Sequence, residues 1–198
     1  MDGMAVESAF VTFDKSNKTT LTGTNTFYVP YPALFRECEV KNRMMKRTIS
    51  GMTGTGSLAH NRRDFFAENV NPNRVYLNIC YRDENLKDVY KELFDESVER
   101  YNVGKRNDRK ITNYYDKIQH GKQEKLFHEV IFQIGNNKDM AAETPEGDLA
   151  VKVLDEYMQD FQRRNPTLRV FCCYLHQDEA TPHLHIDFVP YVTGWKGK

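Results

Sequence analysis

His176-Gln177-Asp178-Glu179-Ala180-Thr181-Pro182-His183-Leu184-His185 packs three histidines and two carboxylates into ten residues. The flanks of this stretch decide the fold. Residues 168–175 form an apolar run, and residues 184–191 alternate His or Asp with large apolar side chains. Both read as strands, and the polar turn between them is short enough to make them an antiparallel pair. In such a strand His183 and His185 point to one face, while Leu184, Ile186 and Phe188 point to the other, into a core. Pro182 suits the first strand position, where a lost amide donor is tolerated. His176 ends the preceding strand, and the turn brings it alongside the pair. One histidine so placed would read as an ordinary core or surface residue. Three together, beside Asp178 and Glu179, point to a divalent metal held by neutral imidazoles with coordination positions left open. Neutral ligands leave the ion's double charge intact, which suits a Lewis acid acting on a phosphodiester.

Working outward, residues 147–164 give the clearest helix. Leu149, Ala150, Val153, Leu154, Tyr157, Met158 and Phe161 make its apolar stripe. Arg163 and Arg164 suit its negative end, and Asn165-Pro166 stops it. Residues 85–101 form a second amphipathic helix, capped by Asp83 or Asn85, and residues 111–118 a shorter one. Residues 44–50, 75–81 and 126–134 read as strands, with a flexible glycine loop (Gly51, Gly54, Gly56) ending at His60. The expected fold is α+β, with a mainly antiparallel central sheet flanked by helices. A chain of 198 residues suits one such domain.

Composition narrows the function. The net charge is zero, which by itself argues against nucleic acid. Its distribution argues otherwise, because residues 41–125 carry 18 basic against 12 acidic side chains. No apolar run is long enough to span a membrane. The first residues, Met1-Asp2-Gly3-Met4, lack the charged and apolar parts of a secretory signal. Cys38, Cys80, Cys172 and Cys173 form no C-x-x-C pair and read as reduced, mostly buried thiols. Together these features lead us to expect a cytoplasmic protein. Residues 1–43 differ in character and read as an N-terminal extension, either a loose hairpin of 10–13 with 27–29 or a disordered leader. Residues 44–198 read as the catalytic domain.

Two more constellations stand upstream of the histidine cluster. His60-Asn61-Arg62-Arg63 combines an imidazole with two guanidinium forks that match phosphate oxygens. Asn71-Pro72-Asn73-Arg74-Val75-Tyr76-Leu77-Asn78 sets another arginine before a strand. Arg62, Arg63, Arg74 and Asn61 are therefore candidate contacts to DNA phosphates. The basic stretch 100–110 reads either as a track for a DNA backbone or as a solvated loop.

The three elements together resemble the signature of the MobV relaxases, the Mob/Pre plasmid mobilisation and recombination family. His60, Asn61 and Arg63 match H-N-x-R. Asn71, Pro72, Arg74, Leu77 and Asn78 match N-P-x-R-x-x-L-N. Residues 176–185 match H-x-D-E-x-T-P-H-x-H without a gap. The last contains the histidine-hydrophobic-histidine pattern of the wider HUH endonuclease class. The resemblance implies an enzyme that nicks one DNA strand at an origin of transfer. His60 would be the nucleophile, retaining the 5′ end as a phosphoramidate. His176, His183 and His185 would hold a divalent metal, typically manganese, with magnesium or a divalent transition ion as substitutes. Glu179 would orient or deprotonate His60. Single-stranded or supercoiled origin DNA and a conjugative coupling protein are the implied partners.

Two departures stand beside the resemblance. More than forty residues precede the first motif strand, and the long helical region usual after the third motif is not in this sequence. Three other readings stay open. One is a rolling-circle replication initiator with a tyrosine nucleophile, for which Tyr114, Tyr115 and Tyr157 are available. Another is an inactive DNA-binding remnant of a relaxase. The third is a hydrolase that cuts phosphodiesters with water.

Overall fold

The computed structural model describes residues 47–194, and the backbone of two further strands, β1 (Phe10–Phe13) and β2 (Thr19–Thr22). These two pair antiparallel, with Phe10 opposite Thr22 and Phe13 opposite Thr19. Residues 27–29, 44–46 and Cys38 lie outside the described residues.

The central sheet comprises β3 (Ile49–Thr53), β4 (Ile79–Asp83), β5 (His128–Ile134), β6 (Leu168–His176) and β7 (His183–Pro190), in the order β3-β5-β7-β6-β4. Every pairing is antiparallel, and helices flank the sheet, as the sequence predicts. Among the described residues five α-helices accompany it: α1 (Leu58–Asn61), α2 (Leu86–Asn102), α3 (Tyr114–Gln119), α4 (Pro145–Gln159) and α5 (Phe161–Arg164). No helix among the described residues is long and apolar enough to cross a membrane.

Local chemistry explains the boundaries. Asn85 caps α2, its side chain accepting the Lys87 amide. Thr144 caps α4, with Pro145 in the first turn and Glu146 and Asp148 beside the positive end. That helix starts earlier than expected and breaks at Asp160, so the predicted single helix is two. The strand expected at 75–81 is a larger correction. Residues Pro72–Leu77 form a 3-10 helix capped by Asn71, and the strand begins only at Ile79. The first sheet strand also lies further on than expected, because its register is set by β5, with Ile49 opposite Ile134 and Thr53 opposite Val130.

The two faces of the sheet do different jobs. Val130, Phe132, Leu175, Leu184, Ile186 and Phe188 face α4 and α5, where Leu154 and Phe161 are fully buried among them. Each such side chain stabilises the fold by about 1.5–3 kcal/mol. On the opposite face α2 and α3 cover Phe171, Cys172 and Val189 at one end. The histidines occupy the other end of that face. Alternation alone would not put His176 there. Leu168 and Val170 face the α4 core, yet so do Cys173 and Leu175. A bulge between Val170 and Cys172 adds a residue, inverts the alternation, and turns His176 to the face shared by His183 and His185.

Candidate active site

Cross-strand register assembles the cluster row by row. His176 lies opposite His183, Tyr174 opposite His185, and Cys172 opposite Asp187. On the other flank of β7, Glu129 pairs with Asp187. All three cluster histidines are buried. Each spends one ring nitrogen on an oxygen outside the pocket. His176 Nε2 meets the Asn61 carbonyl at 2.9 Å, His183 Nδ1 the Thr181 carbonyl at 2.8 Å, and His185 Nδ1 the Glu129 carboxylate at 2.7 Å. Two of the remaining nitrogens, His176 Nδ1 and His185 Nε2, are buried without a hydrogen-bond partner.

Orphaned lone pairs in a polar pocket are what a divalent metal would satisfy. One nitrogen from each of His60, His176, His183 and His185 lies within 4.8 Å of the others. The residues present therefore fit a divalent cation, and imidazole donors suit a transition ion. Burial, then the neighbouring His185 and Arg63, lowers the His176 pKa to about 2. Burial, followed by His185, also lowers that of His183. Both imidazoles are thus neutral, ligand-ready bases.

His60 enters from α1, which Ser57 caps, and its ring lies 5.5 Å from His185 and 5.7 Å from His176, centroid to centroid. Its Nε2 is 3.4 Å from Glu179 Oε1. Burial, then Arg63, holds its pKa below the ordinary histidine value, so the neutral form prevails at neutral pH. Arg63 reaches both its Asp178 and Glu179 neighbours. Nε and Nη2 donate to the two Asp178 oxygens at 2.8 and 2.6 Å, Nη2 also to Glu179 Oε1 at 2.8 Å, and Nη1 to the His60 carbonyl at 3.0 Å. Its backbone has φ +59°, the left-handed region, which costs an arginine roughly 1 kcal/mol. The guanidinium bonds hold it there.

The 71–78 segment clamps the turn between β6 and β7. The Asn71 amide donates to the Asp178 carbonyl, Asn78 donates to Asp178 Oδ2 and accepts the Gln177 amide, and Arg74 donates to the Gln177 and Ala142 carbonyls. Burial would raise the Asp178 pKa, but Arg63 and Asn78 hold it below its usual value. Asn69 completes Glu179, donating to Oε2 at 2.6 Å.

His60, Glu179, His176, His183 and His185 thus converge as a single pocket. Of the four side chains expected at DNA phosphates, Arg62 stays open to solvent, while Asn61, Arg63 and Arg74 are engaged within the protein. Asn61 is 1% exposed, and its amide is used by Glu129 and Asp187. Arg63 and Arg74 direct their donors to protein atoms, mostly oxygens, with Arg63 Nη1 also 3.2 Å from His60 Nε2. Arg62 pairs with Asp83 through Nε and Nη2 and keeps a third of its side chain exposed. The candidate tyrosines lie in apolar packing: Tyr114 and Tyr115 against Phe94 and Tyr90, Tyr157 against Phe132. Cys172 and Cys173 are buried thiols, whereas Cys80 is exposed.

One carboxylate, Glu129, escaped the sequence reading, whereas Asp187 already stood among the cluster acids. Glu129 and Asp187 are buried on the site face, next to the cluster histidines. Burial would raise the Glu129 pKa, but bonds from His185, Asn61 and the Gly56 amide bring it to about 2. Asp187 is pushed up to about 7 by burial and then by Glu129. The available signal was an acid at an inward-facing position of an otherwise apolar strand.

An antiparallel sheet bearing this convergent imidazole pocket defines an enzyme of the histidine-hydrophobic-histidine class. The family model for the plasmid recombination enzymes, Mob_Pre, matches residues 78–196, more than half of the chain. The chain belongs to the Mob/Pre (MobV) family, as its motifs indicate. The matched span contains the whole histidine cluster but begins after His60 and Arg63. No curated protein matches the chain. Among solved structures, it is similar to the MobM relaxase domain (MOBV; Mob_Pre) bound to 22 nucleotides of plasmid pMV158 oriT DNA with manganese at pH 5.5. That likeness has 20% identity and a TM-score of 0.46 over 76% of this chain and 74% of that one. A form carrying a 3′-thiophosphate, at pH 6.8, gives 21%, 0.44 and the same coverage. Membership of the family follows from the match over residues 78–196.

Proposed function

We propose that this protein is a metal-assisted DNA relaxase that nicks one strand at a plasmid origin of transfer, with His60 as nucleophile. The observation that carries the reading is the position of a neutral imidazole, His60, against both the histidine pocket and Glu179. A nitrogen of His60 attacks the scissile phosphorus, and the bond from phosphorus to the 3′ oxygen breaks. The products are a free 3′ hydroxyl and a 5′ phosphate joined to the imidazole. Glu179 accepts the ring proton as the new bond forms, and that proton, passed on through solvent, completes the leaving 3′ hydroxyl. Because a phosphoramidate conserves the bond energy, a 3′ hydroxyl can reverse the step and reseal the strand. His176, His183 and His185 would hold the cation, manganese on this reading, which supplies positive charge for the phosphate oxygens of the transition state. Arg63 sets the position of His60 and Glu179, and Arg62 is the open guanidinium of the motif for backbone phosphate. Single-stranded origin DNA is the proposed substrate, and a conjugative coupling protein the proposed partner.

The test is a covalent-adduct assay. Labelled single strands carrying the plasmid origin are incubated with manganese and wild-type or His60→Ala protein. A denaturation-resistant adduct with wild type alone is expected. An adduct with both proteins would move the nucleophile to a tyrosine.

One observation favours a second reading. Because one nitrogen of His60 lies within 4.8 Å of a nitrogen of each cluster histidine, His60 could be a fourth metal ligand in a closed, structural site. In that case His60→Ala weakens metal binding and no adduct forms even with wild type. A nucleophile leaves metal affinity nearly unchanged on removal.

A further inference from the structure

Asn61 ties three elements together from a buried position. Its side-chain amide donates to Glu129 Oε1 on β5 and to Asp187 Oδ2 on β7, each at 2.9 Å. Its backbone carbonyl accepts from His176 Nε2 on β6 at 2.9 Å. Glu129 in turn accepts from His185 Nδ1 at 2.7 Å and from the Gly56 amide at 2.8 Å. The amide orientation follows from the partners, since an amide oxygen turned toward two carboxylates would be repelled.

These bonds decide which nitrogen of each ring is a base. A ring that gives its proton to an oxygen on one side keeps its lone pair on the other. His176 then offers Nδ1 and His185 offers Nε2, and these are the two buried ring nitrogens without a partner. The same residue follows His60 directly in the chain, so whatever holds Asn61 also holds the imidazole beside it.

We infer that Asn61, acting with Glu129, is a positioning residue: it sets the tautomer and orientation of His176 and His185 for metal capture and locks the His60 helix onto that pocket. The inference rests on the metal-assisted reading above but makes a different claim, about how the pocket is held. It reassigns Asn61 from a phosphate contact to an internal joint. It also assigns a function to Glu129, which lies far from all three motifs in the sequence.

The experiment measures manganese binding to the full chain without DNA, by the paramagnetic resonance signal of the free ion. Asn61→Ala and Glu129→Gln are each expected to weaken binding about 10- to 100-fold. Leu154→Ala, in the core on the opposite face of the sheet, destabilises the fold without touching the pocket and should keep affinity within about twofold. Wild-type affinity in both pocket variants overturns the inference, as does an equal loss in Leu154→Ala. Should Asn61→Ala fail to fold, Glu129→Gln decides. With saturating manganese, Glu129→Gln should regain most of its cleavage rate. Asn61→Ala should keep a reduced kcat with an unchanged KM for DNA, because its His60 helix has lost its tether. Full recovery of kcat by Asn61→Ala would refute the link to His60. A wild-type protein that binds manganese yet forms no adduct sinks the relaxase reading instead, and the affinity comparison still decides this one. A wild-type protein that binds no manganese overturns both.

Discussion

An imidazole attacks phosphorus only while neutral, and the surroundings of His60 keep it so to lower pH than usual. Burial and Arg63 depress its pKa, while Glu179 opposes them. The acidic limb of the cleavage profile should therefore have its midpoint below pH 6.5 at saturating metal, with activity lost as pH falls through it. Glu179→Gln removes an influence that raises the pKa, so it should move that limb further toward acid as well as slow the reaction. A limb that moves toward neutrality would contradict the arrangement. Arg63 is the second decisive residue. It offsets two carboxylates while only 5% exposed. Arg63→Ala leaves Asp178 and Glu179 uncompensated and should cost about 3–5 kcal/mol. Denaturant titration would register this as a lower midpoint with an unchanged slope. Loss of less than about 1 kcal/mol would mean that solvent already screens the pair.

Elements set where those residues stand. The turn between β6 and β7 carries Asp178 and Glu179, and it is held from outside by Asn71, Arg74 and Asn78. The start of α4 packs closely against the chain leading into it. A Cβ on Gly147 would come within 2.1 Å of the Ala141 carbonyl oxygen, which is backbone and cannot swing aside. Gly147→Ala would add helix propensity at an open site. Here it should lower Tm instead, by several degrees in a thermal melt, because the first turn must move off Ala141. A raised Tm would show that this approach is looser than the geometry says. The bulge in β6 belongs to the same scale. It was not visible as a pattern, since Val170, Phe171, Cys172 and Cys173 are all apolar and give no alternation to interrupt.

Across the whole molecule, the sheet separates an apolar core from a polar working face. The folded chain gathers three imidazoles that an unfolded chain holds apart, so a metal binding the pocket binds the native state. Manganese at about 100 times its dissociation constant should add about 2.7 kcal/mol of stability. For a domain this size that corresponds to a rise in Tm of roughly 5–10 °C. His183→Ala should abolish the increment. An equal increment in that variant would place the ion elsewhere.

The sequence by itself determined the antiparallel β6–β7 pair, the two long helices α2 and α4, and the identity of the histidine cluster. Each rests on short-range periodicity: two residues per repeat along a strand, three to four along a helix. Strand spacing was enough to single out the three cluster histidines as candidate metal ligands, and the motif resemblance marked His60 and Glu179 as candidate reactive groups. Tertiary structure alone decided what the remaining polar residues do. Asn61, Arg63 and Arg74 look like phosphate contacts in a one-dimensional string, because nothing there tells an inward donor from an outward one. Their partners are 68 to 126 positions away, on Glu129, Ala142, Asp178 and Asp187. Glu129 and Asp187 join the pocket through the register of β5 with β7, and His176 through a one-residue bulge. Register and bulges are set by the packing of whole strands against α4 and α5, where burying apolar area outweighs any local preference.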